Sequence, residues 1–152
     1  MTPKRYALVP ADFEIPNPPH HALFSFEPLG PEHNASDLEA WSSSIEHIRA
    51  TPGFTSRRWP ERPYTLEENL ADLETHRDHH LRRIDFAWTV LDAAQPGVVV
   101  GCVYLERDPT GLADAAARSW VRADRSDLDP PLREHLGDWF AAEWPLSIRY
   151  AC

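Results

Sequence analysis

Imidazole titrates near neutrality, so the histidines are the first places where this chain can move a proton. His47 follows Glu46 in Ser44-Ile45-Glu46-His47-Ile48-Arg49 and is a candidate general base. Its alternative is a partly exposed histidine, favourably placed at a helix C-terminus. Glu106 closes a strand pattern and is a second candidate, removing a proton through water. Asp108, next to Pro109, reads as a turn former. His76, His79 and His80 are spaced His-x-x-His-His, with Asp72 one turn before His76, a spacing that can set metal ligands on one helix face. Arg77, Arg82 and Arg83 crowd this segment with positive charge and no further ligand is indicated. A solvated helix face without a metal is therefore expected.

Anion chemistry has two candidate locations. Arg57, Arg58, Trp59, Arg62 and Tyr64 form a basic, aromatic patch on an otherwise acidic chain. Guanidinium and indole together can clamp a carboxylate or phosphate and stack a ring, although Arg beside Trp and Pro is also ordinary surface packing. The stretch from Arg118 to Pro131 reads as a strand, a polar loop and a helix start, a layout that many proteins use to hold phosphate. Yet the loop has no glycine, carries Asp124, Asp127 and Asp129, and opens its helix with Pro130 and Pro131. Side chains obstruct close approach to backbone N–H groups, and each proline removes a donor. Cys102, between Gly101 and Val103, reads as a buried, inert thiol. Trp88, Tyr104 and Trp120 either line a cleft or pack the core. No Ser/His/Asp order or nucleophile elbow is present.

These residues need elements to position them. The chain has 152 residues, enough for one domain with a single core, and a net charge of −9 that disfavours nucleic acid and anionic membrane surfaces as partners. With two cysteines, no long apolar run and no leader pattern, a cytoplasmic protein is expected. Residues 1–20 hold Pro3, Pro10, Pro16, Pro18 and Pro19 and read as an extended arm that Tyr6, Leu8, Val9, Phe13 and Ile15 can pin to a surface. A domain over 21–152 follows. Leu23 to Leu29 fits a first strand. Ser36 and Glu39 have capping-box spacing, and Leu38, Trp41, Ile45 and Ile48 recur as in one helix that ends at Thr51-Pro52-Gly53. A second helix opens at Thr65, boxed by Glu68, with Leu66, Leu70, Leu73, Arg77, Leu81 and Ile84 as its stripe. Strands are expected over 86–92, 98–106 and 116–122, a helix over 131–144, and a last strand over 146–150.

The order strand, helix, helix, three strands, helix, strand resembles the GCN5-related N-acetyltransferase (GNAT) family. Phe26-Glu27-Pro28-Leu29-Gly30-Pro31-Glu32-His33 looks like its first strand and turn, and Val98 to Leu105 like its x-I-G-x-x-x-L strand. Ser119-Trp120-Val121-Arg122 takes the place of the strand that leads to the acetyl-CoA loop. The likeness spans roughly 22–151 and implies an α+β fold, with a mostly antiparallel sheet of about five strands and helices on both faces. It further implies acyl (acetyl) transfer from acetyl-CoA to an amine. His47 or Glu106 would remove the proton, Val121, Arg122, Ala123 and Arg125 would contact the cofactor, and Arg57, Arg58, Trp59, Arg62 and Tyr64 the acceptor. Two departures stand out: Leu128 and Pro130 replace the small residues of the family's phosphate loop, and the elements after the fifth strand are missing, as in a truncated, divergent member. They motivate an alternative, a non-catalytic binding module or a homodimeric interaction subunit paired through an open edge at 146–150.

Overall fold

A computed structural model describes residues 6–152; the first five residues of the proline-rich segment lie outside the described residues. Five strands form one sheet in the order β1-β2-β3-β4-β5: β1 is Phe24–Pro28, β2 Phe86–Asp92, β3 Val99–Arg107, β4 Ala115–Val121 and β5 Ile148–Tyr150. The first three pairings are antiparallel, and β4 and β5 run parallel. The helices are α1 (Asn34–Ser42), α2 (Ile45–Arg49), α3 (Leu66–Leu81) and α4 (Asp129–Glu143). The α+β class and the element order are those expected from the sequence.

The sheet buries both faces. On one, Trp88, Val103, Leu105 and Val121 pack against Leu132, Leu136, Trp139 and Phe140 of α4. On the other, Ala87, Leu91, Cys102 and Trp120 meet Trp41 and Ile48 of α1 and α2 and Leu73 of α3. Leu8 and Val9 belong to the α4-side core, and Phe13 and Ile15 pack against it. Arg83 anchors this segment, donating from Nη1 to the carbonyls of Pro10 and Phe13 at 3.0 and 2.5 Å. Tyr6 is exposed.

Three local expectations change. The helix expected over Ser36–Ile48 is two helices, broken at Ser43 and Ser44. Ser36 lies inside α1 rather than capping it, and its hydroxyl accepts the Val99 N–H at 2.9 Å. The α3 start is as read, with Thr65 and Glu68 forming a reciprocal capping box. Its buried face, however, runs through Asn69 and Leu73, while Leu66 and Leu81 are exposed. An internal polar cluster fixes that rotation: Trp41 Nε1 donates to Asn69 Oδ1, and Asn69 Nδ2 donates to Asp37 and Asn34. Finally, β3 carries an extra residue. Val90 pairs with Gly101 but Leu91 pairs with Val99, so Val100 is bulged and side-chain parity flips there. Gly101 lets the strands close at this point, since a Cβ on it would lie 2.4 Å from the Trp120 carbonyl oxygen.

Candidate functional site

A cavity of about 330 Å³ opens between the 54–64 loop, α3 and the β3–β4 face, lined by Arg57, Arg58, Trp59, Tyr64, Asp72, His76, Tyr104 and Arg118. The loop is tied down from behind, where Arg49 Nη1 donates to the carbonyls of Arg58 and Pro60 at 3.0 Å each. Trp59 leans on Trp41 and Trp120, and its bond to Pro60 is cis. Tyr64 meets Trp41 edge-on. The aromatic half of the expected loop patch is therefore packed, while its arginines rim the cavity.

Arg118 is the centre of this region. It projects from β4 between the rings of Phe54 (5.3 Å) and Tyr104 (4.8 Å). Its Nη1 donates to Glu106 Oε1 at 2.7 Å, and Arg57 Nη2 donates to the same oxygen at 2.5 Å. One carboxylate thus faces two guanidiniums. Arg118 Nε is buried without a hydrogen-bond partner among the described residues. Burial, and then the neighbouring Arg57, pull the Arg118 pKa below its usual value against the opposing pull of Glu106.

On the α3 side, His76 lies 5.8 Å from the Tyr104 ring centroid and 3.5 Å from Asp72. Burial lowers its pKa, but the bond and charge of Asp72, with Asp85 and Asp37 beyond, outweigh this and raise it. Tyr104 is half-buried, its hydroxyl accepts from Trp120 Nε1 at 3.0 Å, and desolvation keeps it a neutral phenol. The three histidines do not converge as the helix spacing allowed. His79 pairs with Asp85, and His80 sits edge-on to Phe86 and Trp88. The solvated face expected for this segment is replaced by half-buried histidines, because α3 turns that side toward the sheet.

The other expected site residues fall apart from one another. His47 lies on α2, and its carbonyl accepts the Thr51 hydroxyl at 2.8 Å; it lines none of the described cavities. Glu106 borders a neighbouring cavity of about 170 Å³ with Asp72, His76 and Tyr104. Arg62 makes a bidentate pair with Glu68 at 3.1 and 2.6 Å and faces a separate recess. Cys102 is buried, and burial drives its thiol well above the ordinary range. Asp108 is the turn former expected, accepting from Thr110 and Ala113 and gripped by Arg149. Arg118 is the site residue that sequence reasoning missed, and Asp72 and His76 were read there only as possible metal ligands. An arginine amid strand alanines was the available signal for the first.

The phosphate loop does not fit a pyrophosphate. Val121 is buried at the end of β4, and the Arg122 N–H donates to the Val100 carbonyl. The Ala123 N–H is taken by Ser44 Oγ at 2.9 Å, and the Arg125 N–H by the Arg122 carbonyl. Arg122 is paired with Glu39 and Asp124, and Arg125 with Asp92 at 2.8 Å. Leu128 is buried in the core rather than leaving room for a ligand, and Pro130 and Pro131 open α4 without N–H groups. Both cations are already neutralised, and the surrounding carboxylates repel a dianion. Beyond Ala117, in contrast, β4 has no pairing with β5, leaving an unpaired strand edge where Ser119 Oγ and Tyr150 OH meet at 2.5 Å.

No model of a known protein family matches this sequence, and no curated protein matches it. Solved structures do. The ribosomal L7/L12 α-N-protein acetyltransferase RimL in complex with coenzyme A is similar with a TM-score of 0.63 at 12% identity, over 82% of this chain and 67% of that one. The Salmonella typhimurium acetyl transferase that modifies the N-terminal serine of L7/L12 gives 0.61 at 11% identity, over 88% and 72%. The apo form of RimL gives 0.59 at 13%, over 89% and 70%. The molecule has the GNAT fold.

Proposed function

We propose that this GNAT-fold domain is an N-acyltransferase whose amine acceptor binds in the cavity between the 54–64 loop, α3 and β3–β4. The observation that carries the reading is the Asp72–His76 pair, set against Tyr104 and Arg118 in a cavity of about 330 Å³ on the strands next to the unpaired edge of β4. An ammonium group must lose a proton before it can attack a thioester. His76 takes that proton, with Asp72 holding the imidazole and stabilising its charged form. Trp59 and Tyr64 exclude water, and Arg57 orients the acceptor. Glu106, held by two arginines, positions them rather than acting as base. The fold implies an acyl-CoA donor, but the 122–131 loop does not supply a pyrophosphate site.

That misfit favours a second reading, a binding module that keeps the acceptor cavity and has given up the donor. Incubating the protein with acetyl-CoA and a panel of amines, and following release of free CoA thiol, separates the two. Amine-dependent release that drops at least tenfold in His76→Gln supports transfer. No release with any amine, together with no heat on titrating acetyl-CoA, sinks the transferase reading and leaves the binding module.

The acidity of the chain fits a small-molecule partner rather than nucleic acid or an anionic membrane. None of the described helices is long and apolar enough to cross a membrane. A homodimer through the outer edge of β5 has only Ile148–Tyr150 to offer as a ladder.

A further inference from the structure

The cavity holds more positive charge than the protein around it. Three of its eight lining residues are arginines, against one aspartate, in a chain of net charge −9. Arg58 is turned out and reaches Glu61 only at 3.5 Å. Arg57 and Arg118 share one oxygen of one carboxylate, so the pair keeps a net positive charge after Glu106 is counted. Buried guanidiniums are ordinarily fully paired, because desolvation of the charge is costly. Among the described residues, Arg118 makes only the Glu106 ion pair and leaves Nε without a partner, while Phe54 and Tyr104 fix the plane of its guanidinium. A planar, pre-oriented and undercompensated guanidinium is suited to receive a planar anion.

We infer that the ligand of this cavity is an α-amino acid, or a compound ending in one, whose carboxylate is held by Arg118 and Arg57 and whose amine faces His76 and Asp72. Arg118 and His76 both lie against the Tyr104 ring, so the two polar ends sit within one small molecule's length of each other. The aromatic walls, Trp59, Tyr64 and Tyr104, take the side chain. This deepens the acceptor reading above by naming the class of amine. It concerns binding alone and does not depend on whether transfer occurs.

The test is calorimetry on the full chain without any acyl donor, using L-phenylalanine, L-phenylalaninamide, phenethylamine, 3-phenylpropionate and O-phosphoserine. The expected result is that L-phenylalanine binds, that the amide and the amine bind at least tenfold more weakly, and that Arg57→Gln costs L-phenylalanine about tenfold. Arg57 is a partly exposed side chain, so its replacement avoids the folding cost attached to Arg118. His76→Gln is expected to weaken L-phenylalanine but not 3-phenylpropionate. Equal binding of acid, amide and amine overturns the inference, as does unchanged affinity in Arg57→Gln or no binding by any probe. Tighter binding of O-phosphoserine than of L-phenylalanine overturns the carboxylate assignment in favour of phosphate. Absence of acyl transfer in the thiol-release assay leaves the calorimetric result standing, so the two readings fail separately.

Discussion

Asp37 shows how much of the site is decided by single buried groups. It lies on α1 with its carboxylate turned inward to Asn69, and burial raises its pKa to about 6, only partly opposed by the Asn69 bond. A carboxyl whose folded pKa exceeds its unfolded value of 3.8 favours folding in its protonated form. Stability therefore falls as pH rises from about 4 through 6, and the full cost persists above that. Asp37→Asn keeps an acceptor for Asn69 without the charge. It is expected to raise the melting temperature at pH 7.5 by roughly 5 °C, on the order of 2 kcal/mol, and to change little at pH 3.5. A pH series of thermal melts checks this; an equal shift at both pH values would rule out the ionisation argument. His76, about two turns along α3 from Asn69, shifts stability with pH in the same direction but through its charged form. Its pairing with Asp72 raises a histidine pKa, so that contribution is complete below about pH 6.5 and fades as pH climbs through the folded value.

Among the elements, the β3 bulge and the loop after β4 decide what the sheet can hold. At Gly101 any side chain meets the backbone of β4, which no rotamer change relieves. Gly101→Ala is expected to cost about 1–3 kcal/mol in urea unfolding and to loosen the β3–β4 pairing that places Tyr104 beside Arg118. An unchanged midpoint would show that the strands separate freely here. The 122–131 loop is held by three carboxylates seated on its arginines, Glu39 from α1, Asp92 from the end of β2 and its own Asp124. Replacing the three together, as Glu39→Gln, Asp92→Asn and Asp124→Asn, frees Arg122 and Arg125. Affinity for coenzyme A should then rise at least tenfold at low salt and fall again as salt is added. No gain would mean that the prolines and the occupied Ala123 amide, rather than charge, close the loop.

At the scale of the molecule, the N-terminal segment is part of what holds α4 to the sheet. Leu8 and Val9 are buried, the Leu8 N–H donates to the Arg83 carbonyl, and Trp88 Nε1 donates to Asn17 Oδ1. Removing residues 1–19 exposes that side of the core and is expected to lower stability by about 3–5 kcal/mol, counting only the two buried aliphatic side chains and their contacts. Equal denaturation midpoints for the full and shortened chains would show that the segment merely lies on the surface.

The sequence determined the local terms. Alternation and turn residues placed β2 at 86–92, Thr65 and Glu68 began α3, and element order, more than any exact motif, pointed to the GNAT fold, because periodicity and capping act within a few residues. The glycine-free loop was equally legible, since missing donors are a property of residue type. Tertiary structure decided the rest. Asn69 and Trp41 rotated α3 so that Leu66 and Leu81 of the nominal leucine stripe became exposed and His76 turned inward. Gathering Arg57, Glu106 and Arg118, up to 61 positions apart in the chain, required β3 and β4 to pair. Shared carboxylates, buried charge and a cavity exist only where distant segments exclude water together, and no local pattern encodes that.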